Sequence, residues 1–367
     1  MLFEADKRYL LRGNEAIAYG SLMAGLECYF AYPITPSTEV PETFANEFNK
    51  NRWPKFKAFL QAPSEIEAIS MTIGSAATGR KSMTFTSSPG FSLKQEGISY
   101  AVAMEIPMVI GNVNRGGPGL GNIAAEQSDY RQTTKGGGHG GYRVIVLAPN
   151  SVQEIAVFPA IAFDLAFKYR NPVIIILDAF TGQLKEDMTF PDINVREYDI
   201  SWALTGANNR GQNILNSLYL EVDEMEEVSD RLRLKWNKIT QNEVLYEEWG
   251  CSDADVVVVA YGISSRIAKD GIRQLRKDGY RVGMFRPQTL WPFPTNRLRE
   301  LGMEGKKFIV AELNHGQMID DVKAAMFGLG PVYITGLNRW GGKFFTIEAV
   351  KSKILHVFGN NVQMENN

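Results

Sequence analysis

Thiols and imidazoles are scarce in this sequence. Two cysteines, Cys28 and Cys251, stand far apart among 367 residues. That excludes a disulfide scaffold and fits a reducing compartment. It also excludes a four-thiolate iron–sulfur cluster supplied by this chain alone. The three histidines, His139, His315 and His356, are scattered, and no His, Cys and carboxylate group has ligand spacing, so no protein-held metal is expected. No charge sign dominates: 39 basic against 41 acidic residues give a net charge of −2, which disfavours nucleic acid or an anionic membrane as partner. No apolar run approaches the ~20 residues of a membrane span. The opening "MLFEADKRYLLRGNEAIA" mixes acids and bases, so no secretory signal is expected and the location expected is cytoplasmic.

What is present is an alternation of strands and helices. Asn14 is read as the cap of a helix through "EAIAYGSLMAGLE", with Ala18, Leu22 and Leu26 on one face. Strand-like "CYFAYPI" follows. Ser64 and Glu67 form a capping box that opens "AISMTIGSAATG", with Gly79 as its stop. Strand "KSMTFTSS" leads to a Pro89-Gly90 turn, a helix near "SLKQEGISYAVAME" and strand "PMVIGNV". "YRVIVLAP" and "NPVIIILDAF" are strands on either side of a helix capped by Ser151. Apolar strands alternating with helices predict an α/β fold with a parallel sheet covered on both faces. Residues 1–184 form the first expected domain, 185–250 a charged linker with one helix, and 251–367 a smaller α/β domain.

Ligands of parallel sheets sit beyond the carboxyl ends of the strands. Four stretches qualify: Pro33–Ser37, Ser87–Phe91, Asn114–Gly121 and Gly262–Arg266. The last puts Gly262, Ser264 and Ser265 at a helix start, which suits an anion, yet it matches no nucleotide motif and equally suits a plain structural turn. In "NVNRGGPGLGN", Arg115 offers two parallel donors to a carboxylate and the glycines admit a close ligand. A solvated loop arginine would look the same. Glu65 in a first helical turn suits the helix dipole as well as a catalytic role. Thr35 could be a turn residue. In "YPITPS", Pro33 and Pro36 stiffen the chain where a strand ends.

Taken together, "YPITPSTEVPE", "QAPSEIEAI", "TFTSSPGFSLKQEGISYA", "NVNRGGPGLG", "VVVVAYGISSRIAK", "RPQTLWPFP" and "AELNHGQMIDDV" resemble the alpha subunits of 2-oxoacid:ferredoxin oxidoreductases, in one order over nearly the whole chain. The resemblance implies a pyrimidine-binding thiamine diphosphate domain followed by a domain like the transketolase C-terminal one. It implies a beta subunit holding the diphosphate, Mg²⁺ and a [4Fe-4S] cluster, with gamma and ferredoxin-like delta subunits, in a dimer of heteromers. The missing G-D-G…N diphosphate motif agrees with that split and disfavours a self-sufficient thiamine enzyme.

The same resemblance implies roles. Glu65 would contact N1′ of the aminopyrimidine, favouring the tautomer that deprotonates thiazolium C2, and burial at the subunit interface would raise its pKa. Pro33 and Pro89 would border the cofactor. Thr35 would hydrogen-bond the substrate, and Arg115 would pair with the 2-oxoacid carboxylate. Products would be an acyl-coenzyme A and CO₂, with electrons passed to ferredoxin. The details "SSPGFSLKQEGISY" and "KGGGHGGYR" resemble members acting on branched-chain 3-methyl-2-oxobutanoate. 2-Oxoglutarate and aryl acids such as phenylglyoxylate are alternatives. 2-Oxoglutarate needs a second cation, for which Lys94 and Arg131 are candidates, although Lys94 could equally be a solvated helix residue. Pro63 departs from the acid common at that place. A non-catalytic assembly subunit is the alternative of a different class; intact Glu65, Thr35 and Arg115 speak against it.

Overall fold

The computed structural model describes residues 3, 7–193, 195–206 and 210–359. Its centre is a seven-stranded sheet in the order Thr289–Trp291, Ile145–Leu147, Val173–Asp178, Val109–Asn114, Ser82–Ser87, Cys28–Ala31, Ala58–Gln61. Every neighbouring pair is parallel except the first, where Thr289–Trp291 runs antiparallel to Ile145–Leu147. Ser82–Ser87, Val109–Asn114 and Val173–Asp178 are buried at every residue, although only the last reads as a near-continuous apolar run.

Alternation divides that sheet between two cores. Val173, Ile175 and Leu177 join helices Gly13–Met23 and Val152–Tyr169 on one face. Ile174 and Ile176 face the other way, with Ile69, Phe91 and Ile98. That second core continues into Val257, Val259, Phe285 and Val310 of a five-stranded sheet. The order there is Ile334–Asn338, Lys307–Glu312, Val256–Ala260, Val282–Pro287, Tyr246–Trp249, with only the last strand antiparallel. One apolar layer therefore joins the two sheets and holds their loops in fixed relation.

Two local expectations change. Asn14 is not a cap: its helix begins at Gly13, and the buried Asn14 amide donates to the Pro36 carbonyl at 2.7 Å and to Glu39 at 2.8 Å. Asparagine caps through its side-chain oxygen, but here Arg12 holds the cap position and the Asn14 side chain, inside the first turn, points its N–H groups at the Pro36 loop. Pro89-Gly90 is not a turn either. Both lie in helix Ser88–Leu93, whose first turn tolerates proline because its N–H groups have no helical partner.

The fold places the site through one reversal of direction. After Cys28–Ala31 the chain adds Ala58–Gln61 on one side, then returns to add Ser82–Ser87 on the other. Loops leaving Ala31 and Ser87 thus diverge around one crevice, where ligands of such sheets bind.

Candidate active-site half

The proline-bracketed loop is held by its carbonyls. Prolines cannot donate, so loop oxygens accept from elsewhere. Pro36 accepts from Asn14 and, at 3.1 Å, from Gln183. Thr35 accepts from Arg115 Nη1 at 2.7 Å, and Ile34 accepts from the Ser37 hydroxyl at 2.8 Å. Thr35 itself is exposed, and no described residue bonds its hydroxyl. Pro33 stands half-buried at the loop's start.

Arg115 is 8% exposed. Its two terminal nitrogens go to the carbonyls of Thr35 and Leu120, the second at 3.1 Å, while its buried Nε has no partner among the described residues. An orphaned donor of this kind is costly unless a ligand meets it. Gly121 closes the loop behind Arg115: at φ +56°, a Cβ there would lie 1.7 Å from the Gly116 carbonyl oxygen. Gly117 and Gly119 instead face open space. The glycines thus serve loop closure as well as ligand access.

Glu65 is the first residue of helix Glu65–Ala77, whose cap Ser64 accepts from the Ile66 N–H at 3.2 Å. Its carboxylate is 4% exposed and receives no hydrogen bond from a described residue. A Cβ on Gly90 would lie 2.2 Å from both Glu65 Oε1 and Thr86 Oγ1. Glycine at 90 is therefore required for the carboxylate to lie there. Ser88 accepts from the Arg115 N–H at 3.0 Å, which links the next strand end to the same loop.

A cavity of about 580 Å³ opens between these loops and the second sheet's loops. Half-buried Pro89 lines it, with Ser88, Arg115, Glu126, Asp129, His315 and Trp340. Sequence reading missed the last four. Burial raises the Asp129 carboxyl's pKa against hydrogen bonds from Ser88 and Asn112, the latter at 2.9 Å. Buried Glu126 accepts from Gly117 N–H at 3.2 Å and from Gly341 N–H, so one carboxylate ties the glycine loop to the second sheet's loop. His315 stacks on Trp340 with centroids 4.3 Å apart.

Lys94 and Arg131 are corrected. Lys94 is fully buried, so it is no solvated helix residue, and it is absent from the cavity lining. Its amine donates to the Glu65 carbonyl at 3.2 Å and the Thr84 hydroxyl at 3.1 Å. Arg131 is exposed and ion-paired with Asp320 outside the cavity lining. The helix start at Gly262 is filled from within: Ile263 N–H donates to Asp178 at 2.9 Å. The structural reading of that turn accounts for it.

The thiamine-diphosphate-binding domain family of pyruvate flavodoxin/ferredoxin oxidoreductases matches residues 19–238, and core domain II of pyruvate:ferredoxin oxidoreductase matches 254–350. The chain belongs to the 2-oxoacid:ferredoxin oxidoreductase family. It is 47% identical to the ketoisovalerate oxidoreductase subunit VorB of Methanothermobacter marburgensis, over 96% of this chain and 98% of that one. Identity falls to 33% for the 2-oxoglutarate synthase subunit KorA of the same organism, over 95% and 99%. Among solved structures, the 2-oxoglutarate:ferredoxin oxidoreductase from Magnetococcus marinus, with 2-oxoglutarate, coenzyme A and succinyl-CoA bound, superposes with TM-score 0.85 at 28% identity. That match covers 95% of this chain and 65% of the solved one, which is therefore longer. The expected family and α/β class with a thiamine-diphosphate domain are borne out. No described helix is long and apolar enough to cross a membrane.

Proposed function

We propose that this chain is the alpha subunit of a cytoplasmic 2-oxoacid:ferredoxin oxidoreductase that oxidises 3-methyl-2-oxobutanoate. The reaction gives an acyl-coenzyme A and CO₂, and ferredoxin takes the electrons. The observation that carries the reading is that Arg115, in the cavity wall, holds the Thr35 carbonyl while the Glu65 carboxylate lies against Gly90, next to cavity-lining Pro89, in a chain of this family; Thr35 and Glu65 themselves lie outside the cavity lining. Residues 1–184 are taken as the pyrimidine-side domain, 185–250 as the linker and 251–367 as the second domain. The family boundary at 254 supports the later junction.

The residues present fit thiamine diphosphate. Glu65 keeps a buried carboxylate without a protein donor, in a space that a Cβ on Gly90 would fill. When bound, the cofactor supplies the carbanion chemistry that breaks the bond between carboxyl and carbonyl carbons. Glu65 holds a proton at N1′ of the pyrimidine. Pro33 and Pro89 border the ring. Arg115 has an unused Nε–H for the substrate carboxylate, and the Thr35 hydroxyl orients the carbonyl. A beta subunit contributes the diphosphate site, Mg²⁺ and a [4Fe-4S] cluster, and gamma and ferredoxin-like delta subunits complete the complex.

Two observations favour a branched-chain acid. The higher identity is to the ketoisovalerate subunit. Arg115 is also the one Lys or Arg among the described residues lining the cavity, and Lys94 and Arg131 are engaged elsewhere. A dicarboxylate would leave its distal charge unpaired by this chain. The test is a panel of 3-methyl-2-oxobutanoate, 2-oxoglutarate, pyruvate and phenylglyoxylate on the native complex. Highest kcat/KM for the first is expected, and preference for 2-oxoglutarate would overturn the substrate. Firm thiamine diphosphate binding by this chain alone would contradict the split site.

A further inference from the structure

A lysine amine has no ordinary reason to be sealed inside a core. Lys94 is 0% exposed, and its two hydrogen-bond partners, a carbonyl and a hydroxyl, are both neutral. One partner is the main chain of Glu65, so the amine lies directly behind the residue assigned to the cofactor. We propose that Lys94 is a positioning residue for Glu65: its amine fixes the Glu65 main chain, and loss of a proton from its ammonium strengthens the hold of the Glu65 carboxylate on the proton it shares with the pyrimidine. This rests on the Glu65 reading above and adds a residue to it.

The geometry suits an amine that changes charge. A neutral amine has two N–H groups and a lone pair, of which one carbonyl and one hydroxyl meet two, so the same pair of partners serves either charge state equally. An ammonium has three N–H groups and finds two acceptors here. Burial opposes the ammonium and the Glu65 carboxylate favours it, which brings the Lys94 pKa down from 10.5 to about 7. No other charge acts on it among the described residues. Strand Ser82–Ser87 presents the Thr84 hydroxyl. Strand Val109–Asn114 carries no titratable residue. On helix Glu65–Ala77 the other acid, Glu67, is exposed and bonded to Ser64. On helix Gln95–Ala103, Glu96 and Tyr100 are exposed and bonded to each other at 2.7 Å.

The test uses the assembled complex loaded with thiamine diphosphate and Mg²⁺. The near-ultraviolet circular dichroism of the bound aminopyrimidine and kcat are each followed from pH 5.5 to 9. Wild type is expected to show a break near pH 7 in both. Lys94→Met removes the charge and is expected to abolish that break. Thr84→Val removes one partner of the ammonium and is expected to move the break down by roughly half a unit or more. An unmoved break in K94M overturns the proposal; should K94M not assemble, an unmoved break in T84V does so. Glu65→Gln separates the two readings. A wild-type spectrum and turnover in E65Q would sink the role of Glu65 itself. Loss in E65Q with an unmoved break in K94M would sink only the role of Lys94.

Discussion

Arg115 donates a hydrogen bond to the Thr35 carbonyl across 80 residues of sequence, 2.7 Å from nitrogen to oxygen. The group proposed to hold the substrate's carboxylate thus also holds the loop proposed to hold its carbonyl. Planar guanidinium geometry lets one side chain do both, with Nε left over.

Arg115→Lys keeps the charge and loses the fork. KM for the 2-oxoacid is expected to rise roughly 10- to 100-fold, the worth of one or two charge-assisted hydrogen bonds. Arg115→Ala should raise it further. Steady-state kinetics on the complex checks this, and an unchanged KM and kcat would remove the carboxylate assignment.

Gly90→Ala places a methyl group 2.2 Å from Glu65 Oε1, so the carboxylate must move. A displacement of that size is expected to lower kcat roughly 100-fold or more while subunit assembly is kept. Turnover together with size-exclusion chromatography measures both.

Asn14→Ala removes two donors, one to Pro36 and one to Glu39. Destabilisation of about 1–3 kcal/mol is expected, the net worth of two hydrogen bonds, with Gln183 left as the remaining donor to both oxygens. Denaturant unfolding gives the number. A looser Thr35 loop should appear as a higher KM for the 2-oxoacid.

Much of this site was legible in the sequence. Apolar runs that end on Pro33, Ser88 and Arg115 mark strand ends, and strand ends hold the ligands. The Ser64 cap fixed Glu65 in a first helical turn. Other parts left no local trace. Asn14 precedes an apolar-periodic run, so its pattern is that of a cap; only the fold brings Pro36 to it. Lys94 sits in a helical pattern where lysine is ordinarily solvated, and its burial comes from the adjacent helices and strands. His315 and Trp340 reach the cavity from the second sheet, so no spacing near Arg115 could announce them.

Lys94 also imposes a pH dependence on stability. Its folded pKa lies below 10.5, so the unfolded chain binds more protons between about pH 7 and 10.5. Its contribution is present above 10.5 and is lost as pH falls through about 7. Lys94→Met is therefore expected to be the more stable protein at pH 6, by on the order of 2–4 kcal/mol. The difference should shrink toward pH 10.5. Denaturation midpoints at the two pH values check the sign.

The central claim is that Glu65 works on a cofactor shared with another subunit. Glu65→Gln in the complete complex, assayed by 2-oxoacid-dependent reduction of ferredoxin or a viologen, tests it most directly. Turnover is predicted to fall roughly 100-fold or more with the complex intact. Near-normal turnover would contradict the account.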